Sequence, residues 1–151
     1  MQLATYTATI ANGGTRYQPH LLHQVESYDL TKTVQDQTAT DAAETGLSTS
    51  ALDTVKDGML AAALDGTASS VFGNYRIEVG GKTGTAQNPG DDHGVFISFA
   101  PYENPEIAVA IVVEHGLHGY TTAPAVKALY DAYFFYENEA EPVESVGTLK
   151  S

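Results

Sequence analysis

The sequence predicts an α+β fold, in which an antiparallel sheet of about three strands is flanked by helices. Apolar residues recur at helical spacing near both ends of the chain and in its middle, which is typical of amphipathic helices. Three extended segments follow one another in the second half, joined by short connections dense in turn residues. Connections this short favour antiparallel neighbours. A length of 151 residues corresponds to one ordinary domain.

The first predicted element is a helix that begins at once. Apolar residues at Leu3, Tyr6, Ala8 and Ile10 follow at roughly helical spacing, and the Asn-Gly-Gly run at residues 12–14 is a strong helix stop. Natural domains usually have a lead-in before their first element. We therefore expect a truncated domain that belongs to a longer parent.

Extended structure is expected between the first and second helices. Residues 17–29 predict an extended segment whose start is restricted by Pro19. Residues 30–40 are polar and rich in Thr and Gln, which predicts a second short strand or a loop.

The second helix is predicted to begin at an N-cap on Ser48 or Thr49 and to end at Gly66. Residues 67–72 predict a further short turn of helix. The apolar positions of the long helix recur on one face: Leu52, Val55, Met59, Leu60 and Ala63.

The three strands are predicted at residues 76–87, 95–101 and 106–114. The last of them is apolar on both faces, which predicts that both are buried. Its alanines would let a helix approach closely, and the last helix is one candidate. One face carries Ile107, Val109, Ile111 and Val113, and the other carries Ala108, Ala110 and Val112.

The last helix is predicted to be capped near Thr121 or Thr122, with Pro124 in its first turn. Residues 137–151 are acidic and lack periodicity, so we expect a loose tail after a domain portion at residues 1–136. The aromatic residues at 130–136 indicate core, or a docking face if part of the domain is missing. The apolar stripe consists of Val126, Leu129, Tyr130, Tyr133 and Phe134.

Composition excludes several classes of function. Seven basic against 19 acidic residues give a net charge of -12, which argues against nucleic acid and anionic membrane surfaces. The absence of cysteine excludes disulfides, thiolate catalysis and cysteine-ligated zinc. The longest apolar run, residues 107–113, is far short of the roughly 18 residues that indicate a spanning helix. We expect a soluble chain.

The segment at residues 80–87, Gly-Gly-Lys-Thr-Gly-Thr-Ala-Gln, carries the most specific chemistry. In a strand, Lys82 and Gly84 share one face and Thr83 lies on the other. The glycines are expected to leave backbone exposed for another chain, and an edge strand can pair with an extended peptide. A Lys ammonium and Thr hydroxyls would hold a carboxylate, and a backbone N–H could donate to an oxyanion. These features suit acyl transfer on a peptide that ends in a free carboxylate.

The segment has two other interpretations. A plain strand that ends in a turn with a solvated Lys82 would give the same tripeptide. A phosphate-binding Walker motif requires a glycine five residues before Gly81, where this chain has Arg76.

The segment and its neighbours resemble a known family. Lys82-Thr83-Gly84 is one of three signatures of the penicillin-recognising serine acyltransferases. The order and spacing of the motifs resemble the C-terminal third to half of the transpeptidase domain of class B high-molecular-mass penicillin-binding proteins, over nearly all of residues 1–136. The other matching stretches are 1–14, 56–59, 66–68, 93–101 and 107–114.

The resemblance implies a partial penicillin-binding-protein transpeptidase fold, similar to serine β-lactamases, and a role for each motif residue. Lys82 would support the substrate carboxylate and the local proton network. Thr83 and Thr85 would hold that carboxylate, and the Thr85 N–H would form half of the oxyanion hole. Gly84 would keep the strand clear of the incoming acyl group.

The other two family signatures are absent, because the sequence contains neither Ser-x-x-Lys nor Ser-x-Asn. We therefore expect this chain alone to be catalytically silent. The resemblance implies a parent D,D-transpeptidase that is anchored to the cytoplasmic membrane and acts outside it. It would form an acyl-enzyme from D-Ala-D-Ala stem peptides, cross-link peptidoglycan without a cofactor, and be trapped by β-lactams.

Two alternatives stay open. The scaffold could serve as a non-catalytic interaction or structural module, or it could belong to a D,D-carboxypeptidase or β-lactamase relative that shares Lys-Thr-Gly-Thr. We also expect the isolated chain to self-associate through faces that the parent domain would cover.

Histidines and serines provide weaker candidates. His20 and His23, and His115 and His118, are spaced His-x-x-His, and a zinc site would need a third ligand from residues 91–93, but ordinary loop histidines are favoured and no metal is expected. No serine is followed three residues later by Lys. Capping and turn roles are therefore expected for Ser48, Ser50, Ser69 and Ser70.

Overall fold

The structure is a computed structural model that describes residues 1–36 and 42–136. It confirms the α+β class. The helices are α1 (Gln2–Ala11), α2 (Thr49–Leu64), α3 (Ser69–Phe72) and α4 (Ala123–Phe135), and a 3₁₀ helix, Gly119–Thr122, precedes α4. The strands are β1 (Thr15–Tyr17), β2 (Gln24–Glu26), β3 (Thr33–Asp36), β4 (Ala42–Glu44), β5 (Gly80–Ala86), β6 (His93–Ala100) and β7 (Ile107–Val113).

Helix α1 ends where the sequence predicts, and the asparagine explains the stop. The Asn12 side-chain oxygen accepts hydrogen bonds from the N–H groups of Gly14 and Thr15. Gly13 and Gly14 have φ values of 85° and 107°, which side-chain-bearing residues rarely adopt. Inside the helix, Thr7 is fully buried, and its hydroxyl is satisfied by the carbonyl of Leu3 at 2.7 Å.

The central sheet is antiparallel, with the order β5-β6-β7, as the sequence predicts. Gly80 pairs with Phe99 and Gly94 pairs with Val113. Strand β5 begins at residue 80 rather than at the predicted residue 76. Before Gly80, residues 76 and 77 form a bend, and the carbonyl of Glu78 accepts a hydrogen bond from the N–H of Tyr102, in the connection that follows β6.

Two short ribbons occupy the region where extended structure was expected. The predicted extended segment at 17–29 is wrong in its extent, because β1 ends at Tyr17 and pairs with β4. Only residues 24–26 of that segment form another strand, which pairs with β3. The second predicted segment is confirmed as a short strand at residues 33–36. Its last residues, 37–40, lie outside the described residues.

One face of the sheet packs against α3 and α4 around an aromatic core. Phe96 is fully buried and stacks on Phe72, with ring centroids 5.9 Å apart. Tyr130 of α4 is also fully buried, and its hydroxyl pairs with that of Ser98 at 2.7 Å. Burial raises the pKa of the Tyr130 phenol, so this pair stays neutral. The last helix is thereby fixed to the middle strand.

The opposite face of the sheet packs against α1 and α2. Phe99 of the middle strand is fully buried among Ile10 and Ala11 of α1 and Met59 of α2, and Ala108 of β7 packs against this cluster. Helix α1 therefore packs against the alanine face of β7. The expectation that the last helix covers it is wrong, because α4 lies on the other side of the sheet.

Several predicted core positions are exposed. The two-sided burial predicted for β7 is wrong at its C-terminal end, where Val112 is 53% exposed. Strand β7 is an edge strand of the described sheet, so β6 is the strand with neighbours on both sides. The predicted helix stripes are each only partly buried. Val55, Leu129 and Tyr133 are 46%, 50% and 54% exposed.

Helix boundaries agree closely with expectation. Ser48 caps α2 by accepting a hydrogen bond from the N–H of Ala51, and residues 69–72 form the short additional helix. Thr122 is the N-cap residue of α4, as predicted, although its hydroxyl binds the carbonyl of Gly119 rather than an N–H of α4. The predicted tail at residues 137–151 lies outside the described residues.

Candidate functional site

The motif segment forms β5, at one edge of the central sheet. Its hydrogen-bonded neighbour is β6, and no other strand among the described residues pairs with it. Strand β5 is therefore an edge strand of the described sheet, which is the condition for pairing with an extended peptide. Four predicted site residues, Lys82, Thr83, Gly84 and Thr85, all lie on this strand.

Lys82 points to the side of the sheet that carries α1 and α2. It lines a cleft of about 310 Å³ together with Tyr6, Ile10, Val55, Gly58, Met59 and Ile97. The lysine is exposed, and its ammonium Nζ donates to the carbonyl of Thr83 at 2.6 Å. The cleft walls are mainly apolar, so Lys82 supplies its positive charge.

Thr83 faces away from Lys82, as the alternation of a strand requires. Its hydroxyl Oγ1 lies 2.9 Å from the hydroxyl Oγ1 of Thr67. Thr67 belongs to the turn between α2 and α3, so a second element flanks the motif strand here. Thr67 was not predicted as a site residue, because it is 16 residues from Thr83 and no periodic pattern relates the two.

The first two motif glycines make room for packed side chains and do not expose the strand backbone. Gly80 and Gly81 are buried. A Cβ on Gly81 would lie 2.8 Å from Phe96 Cζ, and one on Gly80 would enter the ring of Phe99. The expectation that these glycines leave backbone free for another chain is wrong, because the two phenylalanine rings of β6 occupy that space. Gly84 is roomier, with 3.4 Å from a built Cβ to Val95 Cβ.

A glycine outside the motif, Gly119, lies directly against the motif strand. Gly119 begins the 3₁₀ helix before α4. A Cβ built on it would lie 2.6 Å from the backbone nitrogen of Gly84 and closer still to the carbonyl oxygens of Gly84 and Val95. The backbone of this turn thus supports Gly84 directly. Gly119 was not predicted as a site residue, since a glycine between a strand and a helix is common in sequences.

The histidines have ordinary local partners. His93 Nδ1 accepts a hydrogen bond from the N–H of His115 at 3.0 Å, and His118 stacks on Tyr120. His20 and His23 lie in the connection between β1 and β2. Within residues 1–36 and 42–136, no three potential metal-ligating side chains come together as a group that could hold an ion.

A larger cleft, about 610 Å³, lies between the α3–β5 connection and α4. Lys127 donates to Asp131 at 2.6 Å and holds the pKa of that carboxyl below its usual value. Arg76 lies over the ring of Phe135 and within 4.0 Å of Asp131. The charged side chains of this cleft therefore pair largely with one another. Among the described residues, it lacks the unpaired polar groups that converge in an active site.

Comparison with known proteins places these features in a family. The family model described as the penicillin binding protein transpeptidase domain matches residues 1–132. The chain is 30% identical over 162 aligned residues to a peptidoglycan D,D-transpeptidase, MrdA, from Acinetobacter baumannii. That match covers 95% of this chain and 23% of the relative. The chain therefore spans about a quarter of that relative's length.

Solved structures give the same result. A crystal structure of Pseudomonas aeruginosa PBP2, in complex with WCK 5153, superposes with a TM-score of 0.75 at 34% identity, covering 98% of this chain and 32% of that one. The penicillin G acyl-enzyme complex of penicillin-binding protein A from M. tuberculosis gives a TM-score of 0.65 at 26% identity, with coverage of 86% and 30%.

The described residues contain no helix of the length and apolarity needed to cross a bilayer. The family match extends from the first residue into α4 and includes the whole central sheet. The motif strand, its supporting glycines, α1, α2, α3 and most of α4 lie inside the matched range. By sequence and by fold, this chain belongs to the penicillin-binding protein transpeptidase domain family.

Proposed function

We propose that this chain supplies the carboxylate-binding strand, and one donor of the oxyanion hole, of a serine D,D-transpeptidase. The observation that carries the proposal is the placement of Lys82-Thr83-Gly84-Thr85 on an edge strand, with Lys82 in an open cleft. An edge strand can accept an extended peptide by main-chain hydrogen bonds. At this open edge the Lys82 ammonium, from one face of the strand, and the Thr hydroxyls, from the other, would then meet the terminal carboxylate.

Each motif residue has a distinct part in this proposal. Lys82 provides the charge that attracts the carboxylate, and it supports proton transfer at the reacting serine. Thr83 and Thr85 donate hydroxyl hydrogen bonds to the carboxylate. The N–H of Thr85 stabilises the negative oxygen of the tetrahedral intermediate. Gly84 leaves room beside the strand for the acyl group.

The nucleophile must come from sequence outside these 151 residues, since Ser-x-x-Lys is absent from them. Lys82 indicates where that sequence approaches, because its side chain lies in the cleft of α1, α2 and β6. Tyr6 and Val55 on the walls of this cleft are 57% and 46% exposed. A segment that brings a serine to Lys82 would cover them. In this arrangement residues 1–136 are the C-terminal portion of the transpeptidase domain.

For the whole protein we propose peptidoglycan cross-linking on D-Ala-D-Ala stem peptides, outside the cytoplasmic membrane and attached to it. The printed names of the relatives support the activity, since MrdA is a peptidoglycan D,D-transpeptidase. The acyl-enzyme of the M. tuberculosis protein with penicillin G supports covalent capture of β-lactams. This chain alone would bind such ligands without reacting.

A binding experiment on the 151-residue chain tests the carboxylate site. The chain is titrated with N-acetyl-D-Ala-D-Ala and with its C-terminal amide, while backbone amide resonances are followed by NMR. Hydrogen bonds to charged groups contribute about 1.5–3 kcal/mol each, so the free acid is expected to bind at least about 10-fold more tightly than the amide. The largest shifts should fall on residues 82–86. Equal binding of the acid and the amide, or shifts centred elsewhere, would contradict the proposal.

A further inference from the structure

Thr67 contacts the proposed carboxylate site from outside the motif. Its hydroxyl is 2.9 Å from that of Thr83, a distance typical of a hydrogen bond between two hydroxyls. Both partners reach the surface, Thr67 as an exposed and Thr83 as a half-buried residue. A ligand that binds Thr83 would therefore meet this pair rather than a single hydroxyl.

The turn that carries Thr67 is held firmly in place. Gly66 donates its N–H to the carbonyl of Ala61, and Ala68 donates to that of Ala62, at 3.0 and 3.1 Å. Ala68 is buried, and a Cβ on Gly66 would lie 2.8 Å from the Cα of Ala62. The residues on either side of Thr67 are thus fixed against α2. The Thr67 hydroxyl is held at a defined place relative to β5.

The hydrogen-bonding capacity of a hydroxyl group decides which of the two threonines donates when a carboxylate is bound. A Thr hydroxyl carries one hydrogen to donate and two lone pairs to accept. If Thr83 donated to Thr67, only lone pairs of Thr83 would face a carboxylate, and like partial charges would repel. If Thr67 donates to Thr83, the hydrogen of Thr83 stays free for the carboxylate. A bound carboxylate therefore selects the second arrangement.

We propose that Thr67 is a positioning residue, which donates its hydrogen bond to Thr83 and so directs the Thr83 hydroxyl hydrogen to the terminal carboxylate of the bound peptide. The inference rests on the proposed function, because it presumes that Thr83 contacts this carboxylate. It adds a residue from the α2–α3 turn to the recognition of the peptide end. Thr67 acts through Thr83 and need not touch the peptide.

The test is a set of single substitutions in the 151-residue chain, titrated with N-acetyl-D-Ala-D-Ala and its C-terminal amide. Thr67→Val removes the donor at nearly constant volume and is expected to weaken binding of the free acid about three- to tenfold. Binding of the amide should stay within about twofold of wild type, since the amide lacks the negative charge. Thr67→Ser restores the donor and should recover most of the affinity for the acid.

Thr54→Val is the matched control. Thr54 is also exposed and lies on α2, but its hydroxyl binds the carbonyl of Ser50 within the same helix. This variant should bind the acid as wild type does. Melting temperatures of all variants establish that each is folded.

Three results would overturn the inference. The first is a Thr67→Val variant that binds the acid as tightly as wild type. The second is an equal loss of affinity for the acid and the amide in Thr67→Val, which indicates a merely structural role. The third is a Thr67→Ser variant that does not recover binding of the acid. If wild type itself does not distinguish acid from amide, the proposed carboxylate site fails, and the role of Thr67 fails with it. If wild type distinguishes them and Thr67→Val does so equally well, only the role of Thr67 fails.

Discussion

Replacing Gly119 by alanine is expected to destabilise the chain by about 3 kcal/mol and to displace the motif strand. A Cβ at this position would lie 2.6 Å from the nitrogen of Gly84 and closer to two carbonyl oxygens. These are backbone atoms of β5 and β6, which cannot rotate away as a side chain can. Overpacking of this kind typically costs about 1–3 kcal/mol and occasionally more. Because the collision is with Gly84, the proposed carboxylate site should be distorted as well.

Urea unfolding and the D-Ala-D-Ala titration measure the two effects of Gly119→Ala. Gly58→Ala is the control, because Gly58 lies within α2 and a Cβ there would meet nothing within 4 Å. Alanine in a helix interior is favoured over glycine by about 1 kcal/mol, so this control should be slightly stabilised. An unfolding midpoint for Gly119→Ala equal to wild type would show that the turn does not press on β5.

Replacing Phe96 by alanine is expected to cost about 3–5 kcal/mol of unfolding free energy. The Phe96 ring is fully buried, stacks on Phe72, and fills the space next to Gly81. Its removal would leave a cavity directly beneath the motif strand. Domains of this size are commonly stable by only about 5–15 kcal/mol, so a loss of this size is a large part of the total.

Denaturant unfolding compares Phe96→Ala with the milder Phe96→Leu and with Tyr28→Ala. Tyr28 is fully exposed in the β2–β3 ribbon, and its truncation should change stability by less than about 0.5 kcal/mol. Phe96→Leu should fall between wild type and Phe96→Ala. A loss below about 1 kcal/mol for Phe96→Ala would contradict the central place of this ring in the core.

The elements with strong local signals were predictable from sequence. The Asn-Gly-Gly run set the end of α1, Ser48 set the start of α2, and short turn-rich loops gave an antiparallel three-stranded sheet. In each case the decisive interaction is local, between residues a few positions apart. Strands β1 and β4 were not predicted as a pair from the sequence. Each has three residues, too few to show a period, and their pairing is long-range.

The errors concern which element covers which face. An apolar pattern on both faces of β7 indicates burial, but it does not name the neighbour, and the first helix rather than the last lies against Ala108. The edge position of β7 likewise depends on strand order, which leaves Val112 exposed. Periodicity reports the character of a face, whereas exposure depends on the rest of the fold.

The candidate site likewise has one part that was predictable from the sequence and one part that was not. The motif residues are contiguous in sequence, so their placement on one strand followed from the pattern alone. The supporting contacts of Thr67 and Gly119 join segments far apart in the chain, and only the folded structure brings them to Thr83 and Gly84.

Penicillin acylation of a hybrid protein tests the central proposal most directly. The hybrid joins the part of the Acinetobacter baumannii relative that precedes its matched region to this chain, which would combine the nucleophile with strand β5. After incubation with a reactive penicillin, intact mass should show one adduct on the hybrid and none on the 151-residue chain alone. Lys82→Ala in the hybrid should slow acylation about 10- to 100-fold, as expected for loss of a charged hydrogen-bonding partner. A cooperatively folded hybrid that gains no mass, or an adduct on the chain alone at Ser69 or Ser70, would contradict the account.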